Sequence, residues 1–143
     1  MKNKIILSMA LLTLISFRGI SQNCNSESTT TTLKFKLQTI GIVISSNDPE
    51  TVWNAFRLAN YSIEQGDTVS VFLLGKGVES PNISTTEFNV KEMMQTFSDK
   101  SGKLSACGTC LALRKTEGTE LCPVSTLSDS YAIIKTNEKI LTF

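Results

Sequence analysis

The chain has 143 residues, of which 41% are hydrophobic, and a formal net charge of +1. This length and apolar content suit one domain with an ordinary hydrophobic core. The chain contains no histidine, which excludes Ser-His and Cys-His catalytic pairs and every histidine-bearing metal site. Any catalytic chemistry must therefore come from cysteine, lysine, arginine, carboxylate, tyrosine or hydroxyl groups.

The first residues have the pattern of a secretory signal peptide. A basic start at residues 1–4 precedes an apolar run at 5–17, which is too short for a comfortable membrane span, and small residues follow. We expect cleavage after Ser21, so that residues 1–21 form a signal peptide and residues 22–36 a flexible polar leader. An uncleaved N-terminal anchor is the alternative.

Export would change both the charge and the redox environment of the chain. Removal of Lys2, Lys4 and Arg18 changes the net charge from +1 to −2. A slightly acidic chain without a basic tract offers no surface for nucleic acid and no attraction to anionic lipid. We therefore predict a secreted or periplasmic protein, free of the membrane after cleavage. Two close cysteines in such a compartment can be found as a disulfide.

The domain is predicted to begin near residue 37 with a buried strand and a helix. Residues 40–44 form a continuous apolar run, typical of a parallel strand covered on both faces. Asp48 can cap the following helix, Pro49 suits its first position, and Gly66 is placed to end it. The apolar residues of this helix fall on one stripe, which predicts a buried face: Val52, Phe56, Ala59 and Ile63.

A second strand and a second helix follow. Residues 68–74 read as a strand that leaves through Gly75-Lys76-Gly77. These glycines are a weak phosphate-loop signal, because no helix is expected directly after them and the full motif is missing. Asn89 and Glu92 resemble a capping box, which opens a helix that Gly102 is expected to close.

The most informative stretch is Cys107-Gly108-Thr109-Cys110. Residues 103–107 are predicted as the third strand and residues 109–115 as the next helix. Thiols at this junction meet unpaired N–H groups and the positive end of the helix dipole, which favour thiolate. Thiolate attacks sulfur, binds soft metals or carries a persulfide. Arg114 lies two helical turns downstream and faces the thiols only if the loop folds suitably.

The end of the chain completes the alternation of strands and helices. Residues 121–124 are predicted as a short strand or extended loop, and residues 139–143 as the last strand. Leu127, Tyr131 and Ile134 mark a helix between them. The alternation predicts an α/β fold, a three-layer α/β/α sandwich with a mostly parallel five-stranded sheet.

Taken in order, these features resemble the DsrE/DsrF-like family. The resemblance is carried by the Asp-Pro-capped helix, the Val-Phe-Leu-Leu-Gly-Lys-Gly turn, Ala-Cys-Gly-Thr-Cys-Leu with Arg114, Asp129-Ser130-Tyr131 and the terminal Lys-Ile-Leu-Thr-Phe. It covers residues 37–143, and the Cys-Gly-Thr-Cys segment is its most specific part.

The resemblance implies a flavodoxin-like fold, assembly into homo-oligomers such as trimers or hexamers, and a sulfur-relay role with donor and acceptor partners. Cys107 matches the cysteine that carries a persulfide, Cys110 matches a second cysteine of one branch, and Arg114 matches the arginine of the pattern. These three are the candidate catalytic residues. No cofactor and no metal is implied.

Three other interpretations of the cysteines stay open. Cys107 and Cys110 could form a reversible redox disulfide, as in thioredoxin-type proteins. The cysteines, with Cys24 and Cys122, could instead be structural disulfides of a non-catalytic secreted oligomeric binding module. A zinc or copper site from Cys107, Cys110 and Cys122 is the weakest, because there is no second Cys-x-x-Cys.

Overall fold

The structure is a computed structural model that describes residues 35–143. The predicted signal peptide and all but the end of the predicted leader lie outside the described residues. In chain order the elements are β1 Thr39–Ile44, α1 Pro49–Glu64, β2 Thr68–Leu73, a 3₁₀ helix Gly75–Asn82, α2 Val90–Asp99, β3 Lys103–Cys107, α3 Gly108–Leu113, β4 Val124–Ser125, α4 Leu127–Thr136 and β5 Lys139–Thr142.

The five strands form one sheet in the order β4-β3-β2-β1-β5, and every neighbouring pair is parallel. The chain moves outward from β1 to β4 and then returns through α4 to the opposite edge. Because such crossovers are right-handed, the outward run puts α1 and α2 on one face and the return puts α4 on the other. The predicted three-layer α/β fold is confirmed.

The core lies between the sheet and the α1–α2 layer. Ile42 and Ile44 of β1 are fully buried, as are Phe56 of α1 and Phe97 of α2. The two phenylalanine rings meet edge to face with centroids 5.8 Å apart. Burying each such side chain contributes roughly 1.5–3 kcal/mol. The parallel strands therefore end at one firmly packed edge, which carries the turns after β1, β2 and β3.

The start and end of α1 follow the sequence pattern. The Asp48 carboxylate accepts hydrogen bonds from the Thr51 N–H at 2.9 Å and the Thr51 hydroxyl at 2.7 Å. Pro49 is the first helical residue, and Gly66 has φ +96°, a conformation that favours glycine after a helix. The predicted cap and stop are confirmed.

The turn after β2 differs from the prediction, because a 3₁₀ helix begins directly at Gly75. Gly77 in this helix lies against β1, where a Cβ would overlap the carbonyl oxygen of Ile44. Close packing of the turn on β1 therefore explains Gly77, and no phosphate cradle is needed.

The end of α2 also differs from the prediction. The helix stops at Asp99, and Ser101, with φ +65°, takes the left-handed conformation. Gly102 lies beneath Phe97, where a Cβ would overlap the aromatic ring. The glycine is needed for close packing, while a serine makes the turn.

Helix α4 forms as predicted, but the apolar residues that mark it do not face the sheet. Leu127, Tyr131 and Ile134 are 77%, 62% and 50% exposed. Ile133 makes the contact with β1, next to Gly41. Packing within the single chain therefore does not account for Tyr131.

Candidate functional site

Cys107 is the last residue of β3 and the N-cap of α3. Its Sγ takes the place of the usual capping oxygen and accepts the Cys110 N–H at 3.4 Å. The residue is only 8% exposed and pairs with Ser125 of β4. The sulfur of Cys107 is therefore held at the edge of the sheet with little contact with water.

Cys110 lies one turn into α3 and is half-buried. Its Sγ accepts a hydrogen bond from the Gly75 N–H at 3.2 Å. Gly75 has φ +55°, a conformation that glycine adopts without strain, in the turn that leaves β2. The second thiol is thus positioned by a turn 35 residues away in the sequence.

The pKa of the Cys110 thiol is raised above its usual value. Burial is the largest cause, and the side chain of neighbouring Cys107 adds to it. The Gly75 N–H and the charge of Arg114 act in the opposite direction but do not prevail. Because α3 has only six residues, its dipole is small. The expectation that this junction favours thiolate is therefore wrong for Cys110.

Arg114 is brought to the site, but its guanidinium is bonded to oxygen atoms. Nη1 donates to the Cys110 carbonyl at 3.2 Å, and Nε donates to Glu79 Oε1 at 2.7 Å. Arg114 therefore acts on the Cys110 thiol through space, as a partly neutralised cation.

Glu79, in the 3₁₀ helix, connects Arg114 to the turn after β1. Its Oε2 accepts a hydrogen bond from Asn47 Nδ2 at 2.8 Å. The pKa of this carboxyl is lowered, first by the hydrogen bond from Arg114 and then by that from Asn47. Glu79, Asn47 and the role of Gly75 were not predicted from the sequence. The turn at Gly75 could be recognised from the sequence, but nothing in the sequence indicated that it contacts Cys110.

A groove of about 440 Å³ opens in front of the two thiols. Its far wall is β4 and the start of α4, where Val124 and Leu127 are 60% and 77% exposed. Gly108 forms part of the near wall, and a Cβ there would lie 2.9 Å from Val124 Cγ1. The thiols therefore face a largely apolar surface.

Asp129 stabilises the start of α4. Its carboxylate accepts hydrogen bonds from the Thr126 N–H at 2.8 Å, the Thr126 hydroxyl at 2.7 Å and the Ser125 hydroxyl at 2.8 Å. These bonds lower the pKa of Asp129. Asp129 therefore caps α4 and braces the wall of the groove.

Cys122 does not join the other two thiols. It is 1% exposed, and burial raises its pKa to about 12. Cys107, Cys110 and Cys122 are all free thiols in the structure. Cys24 lies outside the described residues. No disulfide among the three described cysteines therefore holds the domain together.

Neither a metal cluster nor a membrane helix is found in the described part of the chain. Within residues 35–143, no three Cys, Asp or Glu side chains are placed to hold a metal ion. Cys107, Cys110 and Cys122 are therefore not grouped in the way that the zinc or copper site considered for them would need. Across the same residues, no helix is long and apolar enough to cross a bilayer.

Comparisons with known proteins agree with this fold. The YchN protein of E. coli superposes with a TM-score of 0.66 at 19% identity, over 76% of this chain and 100% of that one. A conserved protein of unknown function from Bacteroides thetaiotaomicron gives a TM-score of 0.61 at 17% identity, over 74% and 95%. At these identities the likeness shows the fold alone. No curated protein sequence matches the chain. The model of the DsrE/DsrF-like family matches residues 38–143, and the chain therefore belongs to that family.

Proposed function

We propose that the protein handles sulfane sulfur through a persulfide on Cys107. Membership in the DsrE/DsrF-like family supports a sulfur-relay type of function in general. The observation that carries the finer proposal is the thiol pair at the end of β3, where Sγ of Cys107 meets the N–H of Cys110 and Sγ of Cys110 meets that of Gly75.

The chemistry needs only thiols. The Cys107 thiolate attacks the outer sulfur of a donor persulfide, which forms the Cys107 persulfide and releases the donor as a thiolate. An acceptor thiolate then attacks the outer sulfur of Cys107 and releases Cys107 as a thiolate again. The backbone N–H that faces Cys107 stabilises the negative charge whenever the sulfur carries it. The number of protons and electrons on Cys107 is the same before and after the cycle.

The test is mass spectrometry of reduced protein after exposure to inorganic polysulfide. Trypsin cleavage after Lys103 and Arg114 leaves both thiols in one peptide, residues 104–114, and fragmentation of this peptide separates them. We expect Cys110→Ser to gain one sulfur on Cys107 and Cys107→Ser to gain none in this peptide. Cys122→Ala is the matched control, since its thiol is buried outside the groove, and should behave as wild type. An unmodified Cys107 in every variant contradicts the proposal.

A thiol–disulfide redox protein is the second candidate, supported by the placement of the two cysteines, where the Cys110 N–H donates to Cys107 Sγ at 3.4 Å. A redox protein predicts that Cys107→Ser and Cys110→Ser reduce the activity equally. It also predicts that the pair has a defined reduction potential against glutathione. Sulfur transfer predicts that Cys107→Ser is the more damaging. A structural role receives no support from the described thiols, all of which are free.

We also propose that the protein is exported and self-associates. The pattern of residues 1–21 supports export, and the intact mass of the mature protein should then correspond to a start at Gln22. The exposed apolar side chains of Leu127, Tyr131 and Ile134 on α4 support association between copies. Light scattering should give a trimer or hexamer for wild type and a smaller species for Tyr131→Glu.

A further inference from the structure

We propose that Cys110 discharges the persulfide of Cys107 as hydrogen sulfide and leaves a Cys107–Cys110 disulfide. This inference rests on the proposed function, since it needs a persulfide on Cys107. It assigns the protein a second activity, sulfide release, in competition with transfer to an acceptor.

The burial of Cys107 decides which sulfur atom each nucleophile can reach. Cys107 Sγ becomes the inner sulfur of the persulfide, and the residue is 8% exposed at the end of a strand. An external thiol in the groove therefore meets the outer sulfur, and its attack transfers that sulfur. The inner sulfur is shielded from solvent but lies beside Cys110, whose backbone N–H donates a hydrogen bond to it at 3.4 Å.

The spacing of the two cysteines permits the disulfide. Residues three apart at the start of a helix have Cβ atoms about 5–6 Å apart, whereas a disulfide needs about 3.8 Å. The first turn of α3 must therefore tighten when the bond forms. Cys107 is the N-cap and has an extended backbone, with φ −60° and ψ 111°, so its own N–H makes no hydrogen bond within the helix. Cys107 can therefore shift toward Cys110 without breaking such a bond.

The step balances without an external oxidant. The Cys110 thiolate attacks Cys107 Sγ, the bond between the inner and outer sulfur breaks, and the outer sulfur leaves as hydrosulfide with the bonding electron pair. The sulfane sulfur is reduced to sulfide, and the two cysteine sulfurs are oxidised to the disulfide. A dithiol reductant must then reduce this disulfide before the next cycle.

The protonation state of the Cys110 thiol controls how fast discharge competes with transfer to an acceptor. The groups that face this thiol are the Cys107 thiol, the Arg114 guanidinium with its partner Glu79, and the Gly75 N–H. On the far wall the charged group is Asp129, which is bonded to Thr126 and Ser125. Because burial keeps Cys110 protonated, we expect discharge to be slow near neutral pH and faster as pH rises.

The experiment loads full-length protein with inorganic polysulfide, removes the excess, and follows released sulfide and the mass of the 104–114 peptide together. Wild type should release one sulfide for each loaded chain while this peptide loses two hydrogens relative to its reduced form. Cys110→Ser should keep its sulfur on Cys107 and release none. Cys110→Ala provides the same readout if the serine variant fails to fold, and Cys122→Ala should match wild type.

The outcomes separate this inference from the proposed function. A persulfide on Cys107 in Cys110→Ser that persists equally in wild type overturns discharge but leaves sulfur handling intact. Sulfide release at equal rates from wild type and Cys110→Ser also overturns it. No sulfur on Cys107 in any variant overturns the proposed function itself. Release from wild type that is independent of pH contradicts the role given to the Cys110 proton.

Discussion

Cys122 makes the free energy of unfolding depend on alkaline pH, because its thiol is buried and burial raises its pKa to about 12 from a usual value of 9.0. In the unfolded chain this thiol loses its proton as pH rises past 9, whereas in the folded domain it stays protonated. A group with a raised folded pKa stabilises the fold fully below its unfolded pKa. That contribution is lost as pH rises toward the folded pKa.

The size of the effect follows from the width of this window. Each pH unit inside it removes about 1.4 kcal/mol of stability for one proton. Between about pH 8 and about pH 10, Cys122 should therefore cost the wild type about 1.4 kcal/mol. Cys122→Ala removes this dependence but leaves a small cavity, which costs about 1 kcal/mol at every pH.

The assay is urea unfolding of reduced wild type and Cys122→Ala, followed by fluorescence of Trp53, the single tryptophan of the chain. Contributions from lysine, tyrosine and the other cysteines cancel in the difference between the two proteins. We expect wild type to be the more stable at pH 8 and the gap to close near pH 10. A gap that stays constant across this range would show that Cys122 ionises in the folded domain, and would refute its burial.

Two further predictions concern the turn after β2. Gly77→Ala should destabilise the domain by about 1–3 kcal/mol in urea unfolding, since the new Cβ overlaps the Ile44 carbonyl oxygen; an unchanged midpoint would mean that the turn moves freely. Glu79→Gln should lower the pKa of Cys110, seen as faster iodoacetamide alkylation of the thiol at neutral pH, because the charge of Arg114 is no longer neutralised. Arg114→Gln should change the rate in the opposite direction, and equal rates in both variants would rule out this electrostatic coupling.

The parts of the fold that depend on local chemistry were predictable from the sequence. The bounds of β3, Lys103–Cys107, match the prediction, because a short apolar strand ends where Cys107 begins a helix. Asn89 caps α2 as the spacing indicated, because its side chain accepts a hydrogen bond from the Glu92 N–H. The Glu92 carboxylate bonds back to the Asn89 side-chain amide and not to the backbone N–H of a capping box. Caps and short strands depend on neighbouring residues, so they can be predicted from the sequence.

The parts that depend on distant contacts were not predictable. Glu79 and Arg114 are 35 residues apart, and only the parallel order of β2 and β3 brings them together. Leu127, Tyr131 and Ile134 have helical spacing, but this spacing predicts only that the helix has an apolar face and not what the face contacts. Which face meets the sheet was decided by Ile133, because the glycine at position 41 leaves room for its side chain.

The position of β5 in the sheet has a consequence for folding. Strands β1 to β4 pair with neighbours that follow one another along the chain, but β5 must pair with β1 across a separation of 99 residues. Closing so long a loop costs entropy before any pairing is gained, so we expect β5 to join the sheet late. Until it does, the backbone of the isoleucine-rich strand β1 is unpaired along one edge, and this edge is a template for association between chains. In the native domain, hydrogen exchange should therefore be faster for amides in the β1–β5 ladder than for those in the β1–β2 ladder.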